Sequence, residues 1–212
     1  LWSAAALALV AACGQERGTG DRAGPISSAE GMAADDGQER GTGRLQEVLD
    51  SQPDDVKARY QYRHPKETLE FFGVAPGMTV VDILPGEPGW YGNILVSYLG
   101  PEGTIIGADY SVEMWSKFGG FADEEFLENK SSFVTSYINS VDAAAGDEGA
   151  MGAAFQFGAL PEELKGTADV VLMMRAANHF NRFDDGAYFT QALADIKDVL
   201  KAIALVRSAP QR

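Results

Sequence analysis

The chain is poor in cysteine, histidine and positive charge. Among its 212 residues are one cysteine, Cys13, and two histidines, His64 and His179. A single cysteine excludes an internal disulfide, and adding the histidines still leaves fewer than the four ligands of a structural zinc site. Lysine and arginine number 17 against 31 acidic residues, for a formal net charge of −14 and a pI near 4.5. A surface that negative repels phosphate backbones, so nucleic acid is not expected as a partner. Also missing are a Gly-x-Ser-x-Gly elbow, a Walker phosphate loop and a paired-histidine metal helix, and with them the chemistries those motifs serve. What is there has the composition of a folded domain, 45% hydrophobic and 23% charged. The length suits one domain with an appendage.

The appendage lies at the start. Leu1 to Ala12 is an apolar, small-residue run, too short to span a bilayer as a helix. It ends in Val10-Ala11-Ala12-Cys13-Gly14, which resembles a bacterial lipobox, whose cysteine is acylated after cleavage. The alternative is a buried helix carrying a small free cysteine, but the polar, Gly-rich stretch that follows offers it nothing to pack against. The first residue is not Met and no positive n-region precedes the run, so the start is expected to be clipped. The resemblance implies an exported protein on the periplasmic side, lipid-anchored through Cys13. Gly14 in the next position is compatible with the outer membrane. Residues 14–43 read as a flexible tether, in which Gly14-Gln15-Glu16-Arg17-Gly18-Thr19-Gly20 recurs as Gly37-Gln38-Glu39-Arg40-Gly41-Thr42-Gly43. The domains expected are thus 1–13, 14–43 and 44–212.

From Arg44 onward, strand and helix patterns alternate. Short helical pieces, broken by Pro53, lead to a helix with Pro65 at its first position and Gly73 at its C-terminal cap. Met78 to Leu84 is an apolar, β-branched run of the kind buried on both faces of a parallel sheet. A helix over Trp90–Leu99 and a second strand over Gly103–Asp109 follow. Helices are expected over Val112–Phe118 and Asp123 to about Val141, with strands at Gly152–Phe157 and Ala168–Met174. Asp184–Leu200 has amphipathic spacing and an acidic first turn, and Ile203–Val206 suits a fifth strand. The pattern predicts a doubly wound α/β sheet.

Several stretches together resemble one family. They are Arg63-His64-Pro65-Lys66-Glu67-Thr68-Leu69-Glu70-Phe71-Phe72-Gly73-Val74, Pro76-Gly77-Met78-Thr79-Val80-Val81-Asp82, Pro85-Gly86 and Gly89-Trp90-Tyr91. Gly107-Ala108-Asp109-Tyr110-Ser111 and Asp169-Val170-Val171-Leu172 with Asn178-His179 continue them in order. In these the chain resembles the exported bacterial branch of class I S-adenosylmethionine-dependent methyltransferases over most of Asp54 to Leu200. The resemblance implies a Rossmann-like sheet with S-adenosylmethionine at the carboxyl ends of the first strands. It departs from the family in the loop Pro85-Gly86-Glu87-Pro88-Gly89-Trp90-Tyr91, one residue longer and with two glycines replaced. It departs also after Leu200, where the family's closing strands are not found, so a truncated sheet is expected.

The residues carry a matching physical reading. Backbone approach to a cofactor after the first strand requires glycine, supplied by Gly86 and Gly89. Asp82, near that strand's end, is placed to face the cofactor's ammonium or sulfonium region. Asp109 stands 20 residues beyond Gly89, the spacing of a carboxylate that binds ribose hydroxyls. The resemblance adds Tyr110 beside it, and Arg63 near the cofactor's carboxylate. Asn178 and His179 follow the fourth strand, where they would orient a small-molecule acceptor and act as general base; the other reading has them only capping the Asp184 helix or lining a partly buried turn. Trp90, Trp115 and the phenylalanines are expected in the core. Three functions stand: a membrane-anchored methyltransferase, a methyltransferase-like binding domain without catalysis, and an NAD-dependent oxidoreductase, the last disfavoured because Glu87 opposes a pyrophosphate and Pro88 removes a backbone donor.

Overall fold

The computed structural model describes residues 6–7, 43–174 and 176–202. Cys13, most of the tether and the Ile203–Val206 strand lie outside the described residues. A two-residue strand, β1 (Ala6–Leu7), pairs antiparallel with the strand Val170–Met174. The chain then runs through α1 (43–51), α2 (Asp54–Lys57), α3 (Tyr60–Arg63), α4 (Pro65–Phe72), β2 (Thr79–Ile83), α5 (Trp90–Leu99) and β3 (Thr104–Asp109). It continues through α6 (Val112–Ser116), α7 (Glu124–Ser131), α8 (Phe133–Ala145), β4 (Met151–Gln156), β5 (Val170–Met174), α9 (Ala177–Phe180) and α10 (Ala187–Val199).

Strands β2 to β5 form a parallel sheet in the order β5-β2-β3-β4. β2, β3 and β5 are covered on both faces, so their side chains alternate between two apolar layers, while β4 at the edge leaves Met151 exposed. Val80, Ile105 and Leu172 pack under α1, α4, α5 and α8, whereas Val81, Ile106, Val171 and Met173 pack against α6, α9 and α10. The architecture is therefore α/β, with helices on both faces. Among the described residues no helix is long and apolar enough to cross a membrane.

Local chemistry explains most of the boundaries. Pro65 starts α4, and Gly73 ends it in the left-handed region at φ 69°, with its N–H on the Glu70 carbonyl. The side chains of Ser111 and Asp123 cap α6 and α7 by accepting from the N–H groups of Met114 and Phe126. Gly107 lets α8 approach the sheet, because a Cβ there would come 2.7 Å from the Tyr137 ring. At the amino ends of the strands, Asp169 accepts from the Thr79 N–H at 2.9 Å and from the Lys201 ammonium at 2.6 Å.

Two expected helices differ. The segment from Asp123 divides at Ser132 into α7 and α8, and α8 runs on to Ala145. The expected acidic first turn of the last helix is not part of it. Asp184 and Asp185 both have φ 50° in a short 3₁₀ turn, and α10 starts at Ala187 with no acidic residue in its first turn.

Candidate functional site

The chain runs from β2 through β3 to β4, then returns to place β5 on the other side of β2. The carboxyl ends of β2 and β5 thus form a topological switch point, the place where open α/β sheets bind ligands. The turn leaving β2 has Leu84, Gly86 and Gly89 at φ 57°, 87° and 85°, and a cis bond at Glu87–Pro88. A Cβ on Gly89 would fall onto the Pro85 carbonyl oxygen, so only glycine fits there. Gly89 begins α5 without any side-chain cap, leaving that helix's first N–H groups at the turn.

Beneath the turn, Asp82 is 4% exposed and no described residue hydrogen-bonds its carboxylate. Burial pushes its pKa up to about 7, against the opposing pull of the Arg63 guanidinium. Arg63 ends α3, and its carbonyl accepts from the Tyr91 hydroxyl and from Thr68 Oγ1, both at 3.2 Å. Its guanidinium lies 4.8 Å from the Trp90 ring centre. Tyr137 of α8 packs over Gly107, the residue opposite Asp82 in the sheet register, and its fully buried hydroxyl has no hydrogen-bond partner among the described residues. Burial first, and then the Asp82 charge, raise its pKa far above the ordinary tyrosine value.

At the end of β3, Asp109 is 1% exposed and fully engaged. Its Oδ1 accepts from the Tyr110 N–H at 2.7 Å and from Trp115 Nε1 at 3.1 Å. Its Oδ2 accepts from the Lys130 ammonium at 2.8 Å. Burial raises the Asp109 pKa even so, with Lys130 and the other donors pulling it down. The same ammonium stands 4.6 Å from the centre of the Trp115 ring.

Tyr110 crosses towards β5. Its hydroxyl lies 3.5 Å from the Ala176 carbonyl, and its ring meets Phe180 edge-on at 4.7 Å. Asn178 and His179 are exposed on α9, a one-turn helix rather than a loop. They do not cap α10, whose N-cap is Gly186. The His179 ring sits 6.0 Å from Phe118 and 6.4 Å from Tyr110. The structure therefore gathers Asp109, Tyr110 and His179 around one aromatic cluster, and Arg63, Asp82, Gly86 and Gly89 around the β2 turn.

No protein-family model, curated protein or solved structure matches this chain. The site stands on its geometry alone. Among the described residues there is no group of acidic, histidine and cysteine side chains able to hold a metal ion. A shallow depression of about 210 Å³ lies elsewhere, between α1, α3 and α4, lined by Gln46, Leu49, Asp50, Tyr60, His64, Pro65, Lys66 and Glu67.

Sequence reasoning missed Lys130, Tyr137 and the cation contacts of Trp90 and Trp115. Trp90 and Trp115 are half-buried and pack against the core as expected, and each also carries a cation on one face; Phe121, expected in the core with the other phenylalanines, is 57% exposed. Lys130 stands 21 positions after Asp109, a separation with no helical or strand periodicity to reveal the pairing.

Proposed function

We propose that this chain is an S-adenosylmethionine-dependent methyltransferase of the class I fold, acting on a small acceptor. The observation that carries the reading is the glycine turn at the switch point, with buried Asp82 beneath it and buried Asp109 ending the adjacent strand. A cofactor that is cationic at one end and carries a ribose at the other suits two carboxylates so placed. The residues fit that group at the turn, where the missing Cβ of Gly89 allows close backbone approach. They fit at Asp109 once Lys130 moves aside.

S-adenosylmethionine supplies a methyl group activated by its sulfonium. In this reading the chain's own residues hold and orient. The Arg63 guanidinium pairs with the carboxylate of the amino-acid tail. Asp82 balances the positive charge nearby, and Asp109 accepts from ribose hydroxyls beside Tyr110. The exposed His179 imidazole takes the proton released by an acceptor hydroxyl or amine, with Asn178 orienting that acceptor, while proximity supplies much of the rate. Glu87 beside the turn disfavours the pyrophosphate of NAD. Lipid anchoring at Cys13, on the periplasmic side, completes the proposal.

The occupied state of Asp109 favours a second reading, a methyltransferase-like domain without catalysis, because both carboxylate oxygens already have partners. Calorimetric titration with S-adenosylmethionine, S-adenosylhomocysteine and NAD, followed by a mass-shift screen of acceptors, separates the readings. Binding of the first two but not NAD, with a methylated product, is the expected result. Binding without any methylated acceptor supports the second reading. Binding of NAD alone refutes both.

A further inference from the structure

The carboxylate at the end of β3 already has a cation in place. Lys130 Nζ lies 2.8 Å from Asp109 Oδ2 and 4.6 Å from the Trp115 ring centre. It thereby covers two surfaces at once, a carboxylate able to accept from hydroxyls and an aromatic face able to stack a planar ring. A nucleoside brings those two complements, vicinal hydroxyls and a base, joined in one molecule. We propose that Lys130 is the resident occupant of a nucleoside seat and that ligands enter by exchanging for its ammonium. The proposal rests on the reading of the site given above and adds to it a self-occupied resting state.

The surroundings suit exchange. The Lys130 backbone is pinned, because its carbonyl accepts from Gln156 Nε2 at 3.0 Å while the same amide donates to the Tyr110 carbonyl at 3.1 Å. Its flexible stem is not pinned, and the side chain is 25% exposed where that of Asp109 is 2% exposed. No residue of helix α7, which carries Lys130, is fully buried, so outward swing of the ammonium gives up only its ring contacts with Trp115, Phe126 and Phe133. In the free protein the ammonium relieves Asp109 of being a buried unpaired charge, a strongly unfavourable state. In the bound protein the ligand's donors replace it. Apparent affinity is then lowered by the fraction of molecules in which Lys130 is closed.

Acylation of lysines with a water-soluble active ester, read by peptide mass spectrometry, tests the exchange on the wild-type protein. The reference is Lys197, whose side chain is 82% exposed. Without ligand, Lys130 is expected to react roughly ten times more slowly than Lys197, as a partly buried amine tied to a carboxylate. Saturating S-adenosylhomocysteine, its binding followed by calorimetry, should speed acylation of Lys130 several-fold and leave Lys197 unchanged. In a second arm, Lys130→Met should bind S-adenosylhomocysteine about 10-fold more tightly, equivalent to ~1.4 kcal/mol. Lys130 reacting as fast as Lys197 in the free protein overturns the proposal. So does bound ligand with Lys130 still protected, or weaker binding by Lys130→Met; each leaves the nucleoside reading of the site intact. No binding to either protein overturns that reading, and the exchange falls with it.

Discussion

Asp82→Asn measures what it costs this sheet to hold a carboxyl in its central strand. The group is 4% exposed, and burial raises its pKa to about 7 against the pull of Arg63. In the unfolded chain the same carboxyl titrates near the ordinary aspartate value of about 3.9. Between those values the folded protein holds a proton that the unfolded chain has released. Stability contributed by this group is therefore present in full below the unfolded value and is lost as pH rises through the folded one. At 1.36 kcal/mol for each step of one in pKa, the loss is on the order of 4 kcal/mol once both states are ionised. Asparagine keeps the shape and has no proton to lose, so Asp82→Asn should lack this slope. Asp109, whose pKa is raised in the same direction, is present in both proteins and cancels in the difference. Urea unfolding followed by circular dichroism, at about pH 5 and about pH 8.5, should show the difference moving in favour of the variant by ~2–3 kcal/mol. A difference that stays constant across that range refutes the reasoning, since it leaves Asp82 titrating alike in both states.

Two further substitutions test the packing around the site. Gly89→Ala places a Cβ on the Pro85 carbonyl oxygen at φ 85°, and backbone strain plus steric displacement should cost about 3 kcal/mol or more. Gly119→Ala, at φ 69° with open space around it, should cost only ~1–2 kcal/mol, and equal losses in chemical denaturation would contradict the turn geometry. Tyr137→Phe removes a buried hydroxyl that has no partner among the described residues and should stabilise by ~1–3 kcal/mol. At roughly 2–4 °C per kcal/mol for a chain of this size, calorimetry would see the melting temperature rise. A fall would show that the hydroxyl makes a bond in solution.

The sequence by itself determined the α/β alternation, because its signals are local. The Val80-Val81 and Ile105-Ile106 runs are apolar on both faces and fit only a covered parallel sheet. Pro65, Gly73, Ser111 and Asp123 set helix ends by their own backbone limits or hydrogen bonds. Gly89 announced a tight turn. The break at Ser132 was not legible, since the residue shared between α7 and α8 is neither glycine nor proline. Nor was the late start of α10, because Asp184 and Asp185 have the chemistry of a first helical turn but adopt left-handed backbone angles. Tertiary structure alone decided the state of the site. The pairing of Asp109 with Lys130, the seating of Tyr137 over Gly107 and the burial of Asp82 beneath the β2 turn all join segments far apart in the chain. A carboxylate's partners and its solvent are set by what the fold brings beside it, and residue spacing does not encode them.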